Sequence, residues 1–559
     1  MDSAEQIIKI NDKLKADKAN FEPIFNNIRT YVTPNRDAIY QPASAAQQTG
    51  TRERFDSTAV HAAQLLASSI QGAFNPTTTA WYELAFREDE LNDNEDVKDW
   101  LEDCTKRMHK VYQTSNFGTA HREGYIDLVG PGTSAIQQDE LPRNEYGEFT
   151  GVTFQAFPVN EYTFVEGADG LVNQFFREFK LTAIQAFEKF SNMPNFNGLG
   201  EKVEQALSAT DKKKQHEQFK FLHAIRPRRE RRRGSMFAAD MTFESRYINV
   251  DTKHDIQVGG YMEFPVSIAR WDKQSADMGW GRSPAWIALP EAMSLSQINK
   301  LGLKALAKDV APPLTVPHKG VIGGIKTSPN AINYYNASRN NGAKPEYMTS
   351  GSKWDIAQFN VERIENRIQR IFFVDQLQLQ DGPQMTATEA QIRFELMQRL
   401  LGPTFWRLSD ERFNPTIYRT FQIMLRAGAF KPVPAVLRSY AQRGRQPTLD
   451  VQYIGPLAKA QRMNEVVAIE RTYQLAQGIS AATGETSVFD NLDADEAIRL
   501  GAEQLGAPGK ITRDKRITSQ IRDQRNQAQQ AQIEAEQLAT VGQGADRLAS
   551  ANQKLAATA

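Results

Sequence analysis

The stretch from Met278 to Pro317, MGWGRSPAWIALPEAMSLSQINKLGLKALAKDVAPPLTVP, opens as a glycine turn, becomes an amphipathic helix and stops at a double proline. Ser283 and Pro284 offer a cap followed by a first-turn proline, and Pro290 is expected to restart the helix after a short first piece. From Glu291 to Ala311 the helix spans about 30 Å at 1.5 Å per residue. Lys300, Lys304 and Lys308 recur at offsets of four and eight. A turn of about 100° per residue sets these ammonium groups along one side, with Leu295, Ile298, Ala305 and Leu306 on another. A lysine row on a helix is ordinarily a solvated face; its alternative use is to meet a polyanion.

The segment after Pro313, rich in glycine, asparagine and proline, reads as a compact β-rich excursion between two helices. The returning helix starts near Trp354. Val361, Ile364, Ile368 and Ile371 follow three-four spacing, and Arg363, Arg367 and Arg370 line another face. Next comes the polar loop QLQLQDGPQM, residues 376–385, and then a capping box at Thr386 and Glu389 that opens a long helix. Pro403 and Pro415 are expected to kink it, and Gly428 to end it.

Upstream, a helical pattern runs from Asp2 to about Thr33, Ser57 is placed to cap a second helix, and TAWYELAF reads as a strand. The acidic run REDELNDNEDVKDWLEDC lacks the central glycine and terminal glutamate of a calcium loop and reads as a solvated, negatively charged helix start. Between Tyr125 and Ser275 short β-like runs alternate with turns, interrupted by a helix at Thr182–Phe190, which makes this an α+β body within a predominantly helical chain. Inside it RPRRERRR, Arg226–Arg233, carries six arginines in eight positions. It reads as a solvated hairpin tip rather than a nucleic-acid patch, because no aromatics interleave and a turn is expected there. Helices are expected again at Leu457–Gly478 and Asp493–Leu505. The tail from Ile511 has seven glutamines between Ser519 and Leu538 and needs neighbours to be ordered.

Composition limits what such a chain does. The 559 residues are 40% hydrophobic, enough for substantial cores, and no apolar run approaches the ~18 residues needed to span a bilayer. A soluble chain without a signal peptide is expected. One cysteine, Cys104, excludes an intramolecular disulfide and a multi-cysteine zinc site. Lys+Arg and Asp+Glu are 67 each, so no global field recruits nucleic acid and charge placement has to do so. Catalytic groupings are not found. His61, His109, His121, His216, His223, His254 and His318 show no ligand spacing. KGVIGGIKTS departs from a phosphate loop at Ile325, where glycine should precede Lys326, and at Pro329, where a helix should start. No cofactor, no metal and no enzymatic activity are therefore expected; a nuclease or nucleotide-driven DNA-packaging enzyme is the alternative reading.

The order of parts (glycine turn, helix, β-rich excursion, returning helix, polar loop, long kinked helix, helical tail) resembles the portal proteins, the head-to-tail connectors of short-tailed double-stranded-DNA bacteriophages. The resemblance is carried by KLKADKANFEPIFNNIRTYVTP, HAAQLLASSIQGAFNPTTTAWYEL, WGRSPAWIALPEAMSLSQINKLGLKALAK, QLQDGPQMTATEAQIR and YIGPLAKAQRMNEV. It implies a dodecameric ring at one capsid vertex through which double-stranded DNA is packaged and ejected. It also implies a division into wing (1–283), first stem helix (284–311), clip (312–353), second stem helix (354–375), tunnel loop (376–385), kinked wing helix (386–428), wing and crown (429–505) and crown (506–559). By the same resemblance, Lys300, Lys304, Lys308, Arg363, Arg367 and Arg370 are candidates to line the channel. Gln378, Gln380, Asp381, Gly382, Pro383 and Gln384 would form the tunnel loop, and His318, Lys319 and Lys326 would dock partners at the clip. The partners implied are further copies of the chain, sequence-independent double-stranded DNA, major capsid and scaffolding proteins, the terminase large subunit, and head-to-tail adaptor and tail proteins, with no membrane. The location implied is the virion, and the host cytoplasm during assembly.

Overall fold

The computed structural model describes residues 3–34, 54–77, 79–209, 211–232, 237–273, 279–310, 314–315, 346–347, 354–377, 401–443, 447–454, 456–484, 487–504 and 518–531. They fall into two compact units: Met1–Trp81 with Met108–Ala429, and Tyr82–Arg107 with Phe430–Ala559. Among the described residues no helix is long and apolar enough to cross a membrane.

In the first unit the amino-terminal helix divides into α1 (Ala4–Lys18) and α2 (Glu22–Tyr31), where one helix was expected. Pro23 is the cause: it has no N–H to donate back to the carbonyl of Ala19. Ser3 and Gln6 close a capping box on α1. Helix α3 (Thr58–Phe74) begins where expected, but Ser57 makes no side-chain cap; Asp56 Oδ1 accepts the N–H of Thr58 at 2.8 Å instead. Strand β1 (Tyr82–Phe86) and the first part of α4 (Glu95–Thr114) belong to the second unit. The acidic run forms the start of α4, with Glu95 and Asp96 in its first turn and Asn94 Oδ1 accepting from Val97 N at 3.3 Å.

Helix α5 (Phe117–Val129) leads into β2 (Thr133–Glu140), which was not expected. It is buried on both faces from Thr133 to Gln138, so its polar side chains hide the period of two on which strand recognition rests. Tertiary bonds hold two of them: Thr133 Oγ1 accepts from Gly281 N at 2.8 Å, and Gln138 Nε2 donates to Thr420 Oγ1 at 2.7 Å. With β3 (Val152–Phe157) and β9 (Val266–Arg270), β2 makes an antiparallel sheet in the order β3-β2-β9. A second antiparallel sheet runs β4 (Tyr162–Glu166), β5 (Val172–Thr182), β6 (Gln218–Pro227), β7 (Phe243–Asn249), β8 (His254–Tyr261). Its two faces follow the alternation of β6. Phe219 and Phe221 join Phe179, Phe190 and Tyr247 beside α6 (Ala183–Phe190) and α7 (Glu201–Ser208). Leu222 and Ala224 join Ile7, Phe176 and Ile248 beside α1. The helix expected at Thr182–Phe190 is α6, with Thr182 as cap.

Helices α8 (Pro284–Val310) and α9 (Trp354–Ile371) follow. Pro290 does not restart α8, which continues through it. Only the bond to the carbonyl of Trp286 is lost, and Ala288, Leu289 and Ala292 around it are packed against the body. The opening of the long kinked helix, with Thr386 and Glu389, lies outside the described residues. From Leu401 it is helical, widens into a π-turn at Ser409–Phe413 and continues as α10 (Asn414–Arg426). The π-turn directly precedes Pro415, whose missing N–H prevents regular α-bonding there. Gly428 ends α10 as expected, at φ +67°, with Ala429 N bonded to Met424 O at 2.9 Å and Gly428 N to Leu425 O at 3.1 Å.

In the second unit β1 pairs antiparallel with β12 (Leu449–Tyr453), while β10 (Leu314–Thr315) and β11 (Glu346–Tyr347) belong to the first. Helices Pro456–Thr483 and Ala494–Gln504 stand where helices were expected. Cys104 is buried, and burial pushes its thiol up to about 12, which makes it inert near neutral pH.

Two buried histidines of the first unit, His121 and His223, make its stability depend on pH. His121 on α5 is wholly buried, its Nδ1 donating to the carbonyl of Phe117 at 3.0 Å. Burial first, and the nearby Arg412 second, lower its pKa to about 3 from 6.5. Burial also holds His223 well below its ordinary value. A base whose folded pKa is depressed gives stability that is complete above the unfolded value and is lost as pH falls through it. His121 alone is expected to cost about 2 kcal/mol between pH 7 and pH 5. Urea unfolding at the two pH values should show this loss, reduced in a His121→Gln protein; equal midpoints would contradict it.

Candidate functional site

Helix α8 is fixed at its amino end and open at the other. Gly281 passes so close to β2 that a Cβ on it would lie 2.2 Å from the carbonyl oxygen of Gly132, so only glycine makes this turn. Ser283 Oγ then donates to the carbonyl of Gly130, and Trp286 Nε1 donates to that of Pro131 at 2.9 Å. Trp286 also packs on Phe25 with ring centroids 5.9 Å apart. Ala285, Ala288, Leu289, Ala292, Leu295 and Ser296 continue the buried face, and Ser296 Oγ accepts from Phe55 N at 2.9 Å.

Past Gly302 the burial stops while the apolar row goes on. Leu303 is 55% exposed, Leu306 59% and Val310 78%. Leu306 was expected on a packed side and is not packed within one chain. Between Phe55, Gly302, Leu303 and Leu306 lies an open groove of ≈ 310 Å³. Lys300, Lys304 and Lys308 are all exposed and occupy a different side of the helix from this row. Lys300 Nζ lies 5.4 Å from the ring centre of Phe55; Lys304 and Lys308 have no ion pair among the described residues.

Helix α9 packs along α8, and its Ile364 and Ile368 are buried. Its three arginines divide. Arg367 Nε lies 3.3 Å from Glu291 Oε1 on α8, so much of its charge is spent within the helix pair. Arg363 and Arg370 are exposed without an ion pair among the described residues. The excursion between the helices leaves and returns through β10 and β11, with Leu314 opposite Tyr347 and Thr315 opposite Glu346. His318, Lys319 and Lys326, the phosphate-loop-like segment, and Gln378, Gln380, Asp381, Gly382, Pro383 and Gln384 lie outside the described residues.

The sequence did not reveal what holds the approach to α8. Arg270, the last residue of β9, is almost wholly buried. Its backbone N–H donates to Glu411 Oε2 at 2.7 Å, its Nε and Nη2 donate to Glu411 Oε1 at 3.1 and 2.6 Å, and its Nη1 pairs with Glu166. Lys273 Nζ lies 2.6 Å from the other oxygen of Glu166. No local pattern announces a pair 141 residues apart. Among the described residues no group of three or more His, Cys, Asp or Glu is placed to hold a metal ion. The helix pair offers placed cations and an uncovered apolar row, the means of contact with a partner.

A family described as "Bacteriophage head to tail connecting protein" matches residues 4–512. A probable portal protein of Bordetella phage BPP-1 is 26% identical over 544 residues, 96% of this chain and 93% of that protein. The portal protein of Salmonella phage epsilon15 is 24% identical over 545 residues, 95% of this chain and 93% of that protein. A chain of the virion of a native gene transfer agent particle aligns at 12% identity with a TM-score of 0.31, over 76% of this chain and 100% of that one, a value on which no argument rests.

Proposed function

We infer the function of this chain from its family: it belongs to the bacteriophage head to tail connecting proteins. The reading is that copies of the chain, twelve by the family resemblance, close a ring at one capsid vertex and that double-stranded DNA passes through it during packaging and ejection. Helices α8 and α9 would form the stem, the excursion at 312–353 the clip that docks terminase and then tail adaptors, residues 376–385 the tunnel loop, and the carboxy-terminal helices the crown. The observation that carries this is the division of labour on α8. Leu303, Leu306 and Val310 continue a buried face yet are exposed in one chain, so they need a neighbour. The lysines stand apart from that face and remain available to phosphate. Rings of screened charge would guide DNA without holding it, in keeping with equal numbers of acidic and basic residues. Arg363 and Arg370 would add to these rings more than Arg367, which is already paired.

Exchanging Lys300, Lys304 and Lys308 for glutamine is expected to leave a ring of about twelve 62.9 kDa chains intact while cutting packaged or retained DNA at least ~10-fold, the equivalent of about 1.4 kcal/mol. Mass photometry and nuclease-protected DNA per capsid read the two halves. Rings that fall apart would place the lysines in a subunit interface and overturn their assignment to the channel.

A further inference from the structure

The described part of the arginine run, up to Arg232, leaves β6 where a turn was expected. Strands β6 and β7 present it as the connection of a hairpin, with Pro227 opposite Phe243 at its base. The inner arginines build this base. Arg226 Nη2 lies 3.1 Å from Glu244 Oε2, both side chains largely buried. Arg228 donates from Nη1 to the carbonyl of Ala238 and from Nη2 to that of Gly259, each at 3.1 Å. The outer arginines are treated differently. Arg229, Arg231 and Arg232 are exposed, and among the described residues none of their guanidinium groups is paired with a carboxylate. Arg231 Nη1 donates to the hydroxyl of Thr242 at 2.7 Å, which orients its guanidinium without neutralising it. Asp240 Oδ1 accepts the backbone N–H of Arg232 at 3.3 Å.

We propose that this hairpin tip is a second, sequence-independent binding surface for the phosphate backbone of a nucleic-acid duplex, on a different element from the lysine row of α8. The guanidinium fork matches phosphate geometry, and a hydrogen-bonded base presents three of them together. An acidic protein partner fits less well. Such an interface needs a desolvated apolar centre, and beside the tip the described residues offer one exposed large apolar side chain, Phe237. Charge without an apolar groove is what backbone binding uses.

The test is fluorescence anisotropy of a short random-sequence DNA duplex with the assembled full-length protein, titrated between about 50 and 200 mM salt. If the three arginines each neutralise a phosphate, the slope of log K against log salt is shallower by about 2.7 in a protein with Arg229→Gln, Arg231→Gln and Arg232→Gln. The natural protein then loses about 40-fold more affinity than this variant over the same range. The corresponding three Arg→Lys changes should retain the steep slope. The lysine variant of α8 makes failure of the channel reading distinguishable, because it leaves the tip intact. Equal slopes for the natural and glutamine proteins overturn the proposal. So does a result in which the glutamine changes abolish binding of labelled polyglutamate and leave DNA binding untouched, since the tip would then serve an acidic protein.

Discussion

Replacing Glu411 with alanine is expected to cost roughly 3–5 kcal/mol of stability, the largest effect of any single change considered for this chain. Glu411 is buried in the π-turn and accepts three bonds from Arg270, one of them from the backbone N–H, while Arg407 Nη1 approaches at 3.4 Å. Without it a buried guanidinium keeps, among the described residues, Glu166 and the carbonyl of Gly170. Glu411→Gln keeps the acceptor for the backbone N–H but not the charge, and should cost about half as much. The double variant Arg270→Met, Glu411→Leu should recover part of the loss, because part of the penalty comes from leaving a buried charge under-compensated rather than from losing an attraction. Urea unfolding of the four proteins forms the cycle. A Glu411→Ala protein within about 1 kcal/mol of the natural one would mean that water reaches the pair and that the approach to α8 is held by packing alone.

The second large effect concerns the excursion between the two long helices. Removing residues 316–345, with a two-glycine link, is expected to spare ring formation and to weaken binding of the packaging motor and of tail adaptors roughly 100-fold, about 2.7 kcal/mol. The join is short because β10 and β11 pair antiparallel, Thr315 facing Glu346, so the cut ends lie side by side. The packing of α8 along α9, the buried Ile364 and Ile368 and the Arg367–Glu291 pair all lie outside the deletion. Calorimetric titration with the motor subunit reads the effect. Undiminished affinity would rule out the excursion as the docking site, and loss of the ring would assign it to assembly instead.

The readings that survived depend on neighbours a few residues away. The three-four spacing on α9 puts Ile364 and Ile368 in the core, the helix expected at Thr182–Phe190 stands as α6, and Gly428 takes the left-handed conformation that closes α10. Each follows from the helical repeat or from backbone sterics, which operate along the chain. The cationic rows on α8 and α9 were legible for the same reason, since spacing alone decides which residues share a side. The arginine run was legible as a turn.

What local rules could not settle was decided by partners distant in sequence. Pro290 was expected to interrupt α8, but the packing of Ala288, Leu289 and Ala292 carries the helix past one missing bond. Strand β2 escaped notice because Thr133, Ser134, Gln137 and Gln138 are buried, which becomes tolerable only once residues such as Gly281 and Thr420 reach them. Arg367 shared a face with Arg363 and Arg370 in the sequence, yet Glu291 on the neighbouring helix claims it. A polar or charged group shows its type in the sequence, but whether it is spent or available depends on what the fold brings within about 3–4 Å of it. Periodicity thus set the elements and their faces from the sequence alone. Tertiary structure decided which charges remain free to act, because burial makes pairing compulsory and exposure leaves it optional.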